Sequence, residues 1–294
     1  MNAEILDGIT VSRIGGPDYT REDLLKMDPV CLRALFRERI HHTIEVEIYP
    51  ILLGQRRMPK KFGLQAELIL DVWRQRGFSD EDEDFKWGRE YLSLAARMRA
   101  GEEIKITEQL PQPFTDDQMA VVRKLLWERR SVRDWVPDKP VPDDSITKLL
   151  EAGRAAPTSC NLEPLRFIVI KDPHEAKMVW SDIPTPMDRC TLIVVCYDTR
   201  VYETVGHHTL IPHNMLLDAA AAADHICLMA HALGLGAVWL TCTDKTARRF
   251  QRKYGLPDYI KQALHIAVGW SAVGSLKSSR MPLSEMVIKG PLNL

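Results

Sequence analysis

No two of the six cysteines, Cys31, Cys160, Cys190, Cys196, Cys227 and Cys242, stand at C-x-x-C spacing. That excludes a cysteine-rich iron–sulfur or zinc module and argues for reduced thiols in a cytosol over a disulfide framework. No apolar run reaches the ~18 residues that a membrane-spanning helix calls for. Residues 1–16 lack the basic start and apolar stretch of a signal peptide, so a soluble, cytoplasmic protein is expected. The formal net charge of −1 is too small to recruit nucleic acid or an acidic membrane through a global field. No Ser-His-Asp set or carboxylate pair stands out either. With 294 residues and 45% hydrophobic content, one large domain or a domain with a substantial extension is expected.

What is present begins with Arg129-Arg130-Ser131-Val132-Arg133, three guanidiniums and a hydroxyl within five residues. Arg is always charged and its rigid donor fork fits phosphate oxygens. The plain alternative is a solvated basic helix end. Residues 143–155 follow as a helix, with Ile146, Leu149 and Leu150 at helical spacing behind Pro142 and the caps Asp143 or Asp144. Ala156-Pro157-Thr158-Ser159-Cys160-Asn161-Leu162-Glu163-Pro164 then reads as a turn, and residues 166–171 as a β-branched strand.

The rest of the chain divides in two. Residues 1–113 read as helical, with segments near 19–27, 30–53 (kinked or ended by Pro50), 65–76 and 85–98, followed by linker chemistry at 101–115. Within them His41 and Glu45 lie one turn apart, but no third ligand converges on them in the sequence, so no metal is expected. His207, His208 and His213 are assigned for the same reason to a polar loop at 198–212 and just beyond. From residue 114 the pattern alternates: a helix to about 126, a buried strand at 191–197, an alanine-rich helix at 215–233 suited to close packing, and strands at 237–241 and 265–270. Cys160, inside the turn, reads as a small packing residue.

The order R-R-S-x-R, helix, A-P-[ST]-x-x-N-x-[QE]-P, strand, H-A-L-G-L-G, strand, Thr-rich turn, strand and R-x-P-L resembles the nitroreductase superfamily over residues 114–294. The resemblance implies an α+β fold: a three-layer sandwich with a central, mostly antiparallel sheet flanked by helices, plus an α-helical N-terminal extension. It also implies a homodimer with FMN at its interface, and ping-pong reduction of a small electron-poor molecule (a nitroarene, quinone or halophenol) by NAD(P)H. Carried across, Arg129, Arg130 and Ser131 hold the phosphate and ribityl chain, Arg133 reaches the ribityl or pyrimidine edge, and Arg280 returns to the phosphate. Pro157, Thr158, Ser159 and Asn161 approach the flavin ring from the other subunit. Thr241 and Cys242 line the ring, and Thr243 donates to N5 as the residue nearest the chemistry.

Glu163, where many members have Gln, and the turn Leu240-Thr241-Cys242-Thr243 look more like the iodotyrosine deiodinase branch, and Glu163 is assigned to substrate. A donor at N5 makes one-electron steps accessible. Asp244 stands where that branch has Pro, and its Glu, Tyr and Lys lid motif is not visible. Two rival readings follow from the same resemblance: an oxygen-using FMN oxidase or flavin-modifying enzyme, and a non-catalytic flavin-binding protein whose extension meets a partner. Residues 1–113 are expected to cover the active-site mouth or to widen the dimer interface.

Overall fold

One long, interrupted helix organises the N-terminal part of the computed structural model, which describes residues 3–105, 110–179, 186–276 and 278–289. Helix α1 (Arg21–Lys26) is closed at its start by reciprocal bonds between Thr20 and Asp23. Asp28 then caps and Pro29 opens α2 (Pro29–Ile40). The backbone passes through a π turn (His41–Glu45) into α3 (Val46–Leu52), and Pro50 sits within α3 instead of ending it. Ile40, Ile44 and Ile48 are all buried. In a straight α-helix a spacing of four overshoots a full turn by about 40°, and the π turn takes up that drift. Helices α4 (Leu64–Gln75) and α5 (Glu83–Arg99) close over α2. Phe85 stacks on Phe36 at 5.0 Å, and Gly88 permits it, since a Cβ there would lie 2.4 Å from the Phe36 ring.

The second part runs α6 (Asp116–Glu128), α7 (Asp143–Arg154), β1 (Leu165–Ile170), α8 (Pro173–Val179), β2 (Thr191–Asp198), α9 (Thr199–Val205), α10 (His207–Leu210), α11 (Asn214–Ala232), β3 (Gly236–Thr241), α12 (Asp244–Tyr254), β4 (Ile260–Gly269) and α13 (Leu283–Met286). The strand order is β1-β2-β4-β3, and every pair is antiparallel. Alternation sorts the side chains. Ile193, Val195, Ile266 and Val268 pack with α7 and α11, whereas Leu192, Val194, Cys196 and Ala267 pack with α8 and α12. The result is the expected α+β sandwich of three layers. Strand β4 begins earlier than residue 265, because Ile260 to Gln262 pair with Asp198 to Cys196 past an irregularity at Val195/Cys196. Among the described residues no helix is long and apolar enough to cross a membrane.

The expected loop at 198–212 is mostly helical. Val201, Tyr202 and Val205 of α9 are buried in the same core as Phe36, Phe85 and Leu162, so α9 joins the N-terminal helices to the sheet. A polar sequence hid this, because only one face of α9 is apolar.

A guanidinium makes the firmest joint. Arg37 of α2 is buried; its Nε donates to the Asn161 carbonyl (3.1 Å), Nη2 to the Leu162 carbonyl (2.7 Å) and Nη1 to Asp84 Oδ2 (2.9 Å). Burial pushes the Asp84 carboxyl up, but hydrogen bonds from Arg33 and Arg37 outweigh it and hold the group below its ordinary value. A depressed folded pKa means that this carboxylate stabilises the fold above the unfolded carboxylate range, and that the contribution is lost as pH falls through the folded pKa. Arg37→Met is therefore expected to cost about 3 kcal/mol in urea unfolding, against about 1 kcal/mol or less for Lys26→Met in the exposed Lys26–Glu22 pair. The acid-side slope of stability should also become shallower in Arg37→Met, and equal losses from the two substitutions would remove Arg37 from this role.

Candidate functional site

Helix α6 ends at Glu128, and from Arg129 onwards the backbone is extended. Burial of Trp135 explains why: its Nε1 donates to the Gly236 carbonyl (2.9 Å), and Gly269 lacks the Cβ that would press on its ring. That pins the preceding residues along β3, with Ser131 bridging Ala237 and Val132 N donating to Ala237 O (3.0 Å). A cleft of ≈ 290 Å³ opens here, lined among others by Arg129, Arg130, His231, Gly234, Ser271 and Ser275. Arg130 folds back to donate to the carbonyls of Trp127 (2.7 Å) and Arg129 (2.8 Å), closing the end of α6. Arg133 is exposed beside the Ser131 carbonyl. Arg280 is also exposed and stands outside the cleft lining, and Lys277 of the same basic segment lies outside the described residues.

The far end of β3 carries Thr241, Cys242 and Thr243. Thr243 is exposed and caps α12, accepting from Thr246 N (3.2 Å) and meeting Thr246 Oγ1 at 3.0 Å. The Cys242 thiol turns inward to the Ala263 carbonyl (3.5 Å).

The turn at 157–164 is held from within. Ser159 N donates to Asp218 (3.0 Å to Oδ1), and the Ser159 hydroxyl accepts from Asn214, so this residue is committed to α11 instead of pointing outward. Asn161 gives its carbonyl to Arg37. Pro157 and Glu163 are exposed, and Glu163 shares a groove of ≈ 290 Å³ with Thr158, Arg154 and Arg166. Cys160, Asn161 and Glu163 all have positive φ (53°, 52° and 49°), a conformation that costs an L residue about 1–2 kcal/mol. The turn sits at the start of α11 and the basic cleft at its end. Eighteen rises of 1.5 Å from its first residue to its last make the helix roughly 27 Å long. One protomer thus brings Arg129 and Ser131 to the start of β3 and Thr241 to Thr243 to its end, but keeps the turn away from the basic cleft.

Sequence reasoning missed what lies behind the turn. Cys160 Sγ is 3.4 Å from His207 Nδ1 and 3.7 Å from His42 Nε2. His42 Nδ1 lies 2.7 Å from Oε1 of Glu38, a fully buried carboxylate also paired with Arg39. His41 Nδ1 is 2.8 Å from Glu45 Oε2. Burial pushes the Cys160 thiol up, but hydrogen bonds from His207 and His42 prevail and bring it down to about 6. The same contact with Cys160, then that with Glu38, raises His42 to about 10 and His207 to about 9. Cys160 is therefore no mere packing residue. Only the short-range pair His41–Glu45 was read from helical spacing.

Comparison with known proteins bears on the family and the fold. The nitroreductase family model matches residues 126–185 and 184–270. A relative from Archaeoglobus fulgidus, provisionally named NADH dehydrogenase/NAD(P)H nitroreductase, is 29% identical over 153 residues, covering 50% of this chain and 83% of its own. A provisionally named nitroreductase from Desulfovibrio desulfuricans, solved in complex with FMN, is 30% identical, with 61% of this chain and 99% of that one covered and a TM-score of 0.49. NfrA2 of B. megaterium is similar in fold at 18% identity and a TM-score of 0.52, over 58% of this chain and 74% of that one. The chain belongs to the nitroreductase family, through the residues that carry its basic stretch, its turn and all four strands.

Proposed function

We propose that the chain is an FMN-dependent oxidoreductase of the cytoplasm, which takes electrons from NAD(P)H and passes them, in a ping-pong scheme, to a small electron-poor molecule such as a nitroarene, quinone or halophenol. The observation that carries this reading is the edge strand β3, with Arg129 and Ser131 beside its first residues and Thr243 just past its last. The donor set suits a phosphorylated flavin: a guanidinium, hydroxyls and a His around one cleft, and a hydroxyl at a helix start further along. The two family members named above that are described as NAD(P)H nitroreductase and as an FMN complex support the same cofactors. Bound there, the flavin supplies the redox chemistry.

The protein's own residues then position and polarise. Arg129 and Ser131 hold the phosphate and ribityl end, with Arg133 and Arg280 approaching from solvent. Thr243, with Thr246 as donor in their mutual contact, keeps its own proton for the flavin N5. Thr241 and the Cys242 backbone line the ring. Pro157 and Thr158 come from a second copy, with Ser159 and Asn161 holding the turn from behind, and Glu163 faces substrate in the Thr158 groove.

The exposed side of α6 supports a homodimer. It buries none of its residues, and Met119 (52% exposed), Leu126 (56%) and Trp127 (56%) face water on one side of it. An apolar face of this extent calls for a partner surface, and a second copy also delivers the turn that one protomer keeps far from its own cleft. Residues 1–113 act in this reading as a buttress behind that turn, and 114–294 as the flavin-binding domain.

Anaerobic addition of NADH or NADPH is expected to bleach the flavin's long-wavelength absorption band, whereas an unmoved band would turn the reading towards an oxidase or a carrier. Arg129→Ala should weaken FMN binding about ten- to a hundredfold, measured by fluorescence titration, and unchanged affinity would place the phosphate elsewhere. Thr243→Val should slow reduction by NAD(P)H about tenfold while FMN affinity holds, with Thr243→Ser restoring the rate; a loss that Ser does not restore would point to the helix cap instead. The double variant M119E/L126E is expected to run as a monomer in light scattering and to lose FMN, and a variant that stays dimeric would move the interface off this side of α6.

A further inference from the structure

We propose that His41, His42 and Cys160 form a binding site for one zinc ion, which fastens the N-terminal helices to the back of the turn at 157–164. One ring nitrogen of each His and the sulfur of Cys160 lie within 4.8 Å of one another. In a tetrahedral site with zinc–sulfur near 2.3 Å and zinc–nitrogen near 2.0–2.1 Å, the sulfur-to-nitrogen edge is about 3.6 Å. The Cys160 to His42 Nε2 separation of 3.7 Å is already that edge.

Both imidazoles are held from behind in the manner of metal ligands. His42 Nδ1 meets Glu38 and His41 Nδ1 meets Glu45, so a carboxylate fixes each ring and leaves Nε2 with its lone pair. Glu38 is itself locked by Arg39 and fully buried, so it serves as an outer partner and not as a ligand. Glu38, His42 and His207 also converge, but His207 leans on Glu38 at 3.6 Å and on the Cys160 sulfur at 3.4 Å, which places it beside the ion.

The backbone is bent towards this arrangement twice. Adjacent residues of an α-helix point in different directions, yet His41 and His42 stand side by side with ring centroids 5.0 Å apart, because the backbone makes its π turn there. Such turns occur often at functional sites. Cys160 reaches the pair from a left-handed backbone conformation, held by the Arg37 bonds to the next two carbonyls. All three ligands are half-buried, which leaves room for a water as fourth ligand. A thiolate with two imidazoles selects zinc over magnesium or calcium. Coordination releases the thiol proton, and any imidazolium protons, to solvent.

The experiment uses the full chain without a histidine tag, stripped with a chelator and titrated with Co²⁺ alone. One equivalent should produce the d–d bands of tetrahedral cobalt, to the red of any flavin absorption, and Zn²⁺ should erase them. His41→Ala, His42→Ala and Cys160→Ser should each abolish the bands, Glu45→Gln should weaken binding about ten- to a hundredfold, and the exposed His174→Ala should change nothing. Zinc should also raise the melting temperature and slow alkylation of Cys160 in the unmutated chain, a readout that needs no variant to fold. Absence of the bands, bands that survive Cys160→Ser, or alkylation that zinc does not slow would each overturn the site. FMN titration of the same samples keeps this outcome separate from the flavin reading, which stands on other residues.

Discussion

The structure depends on a single guanidinium inserted between two parts of the chain. Arg37 satisfies two consecutive carbonyls, those of Asn161 and Leu162, at a place where the backbone has left every regular ladder. Three positive-φ residues cluster there, each unfavourable by itself, and buried carbonyls left without donors would add a larger cost. A charge is a costly thing to bury, and Arg37 is tolerated because Asp84 and Arg33 complete the network on its other side. The N-terminal helices are therefore part of how the turn holds its shape. They are not an ornament on an otherwise finished domain.

Length explains why the proposed flavin site needs two copies. Helix α11 is a rigid spacer whose first turn anchors Ser159 and whose last turn lines the basic cleft. Nothing in one protomer shortens it. Its alanines allow close approach on the sheet side, and Gly153 of α7 accepts Ile226 where a Cβ would sit 2.9 Å from the Ile226 side chain. The exposed apolar residues of α6 and of the start of α11 lie outside that packing. Intramolecular packing fills one side of these helices and leaves the other exposed.

How much of this was legible depended on range. The four strands announced themselves, because a sheet covered on both faces needs unbroken apolar runs such as Leu192 to Cys196. The basic stretch and the turn were readable as chemistry, since their residues are local. The start of β4 was not, because Lys261 and Gln262 pair by backbone while their side chains stay polar. Helix α9 was hidden by its single apolar face. The π turn left one trace, the spacing of four between Ile40, Ile44 and Ile48, which periodicity alone reads as a straight helix. Cys160, His42 and His207 were out of reach: 118 and 47 residues separate the thiol from its two imidazoles, and only the fold closes those gaps.

The turn itself shows why so short a segment serves several ends. In a strand its side chains would alternate between two faces, and in a helix they would wind around one axis. The mixture of extended and left-handed residues from Thr158 to Glu163 does neither. Ser159 goes inward to α11, Cys160 backward to the π turn, and Thr158 and Glu163 outward to a shared groove. Three directions within six residues require backbone conformations that a regular element forbids, and that strain persists only where the surroundings dictate it. Arg37 on one side and Asp218 on the other supply those surroundings.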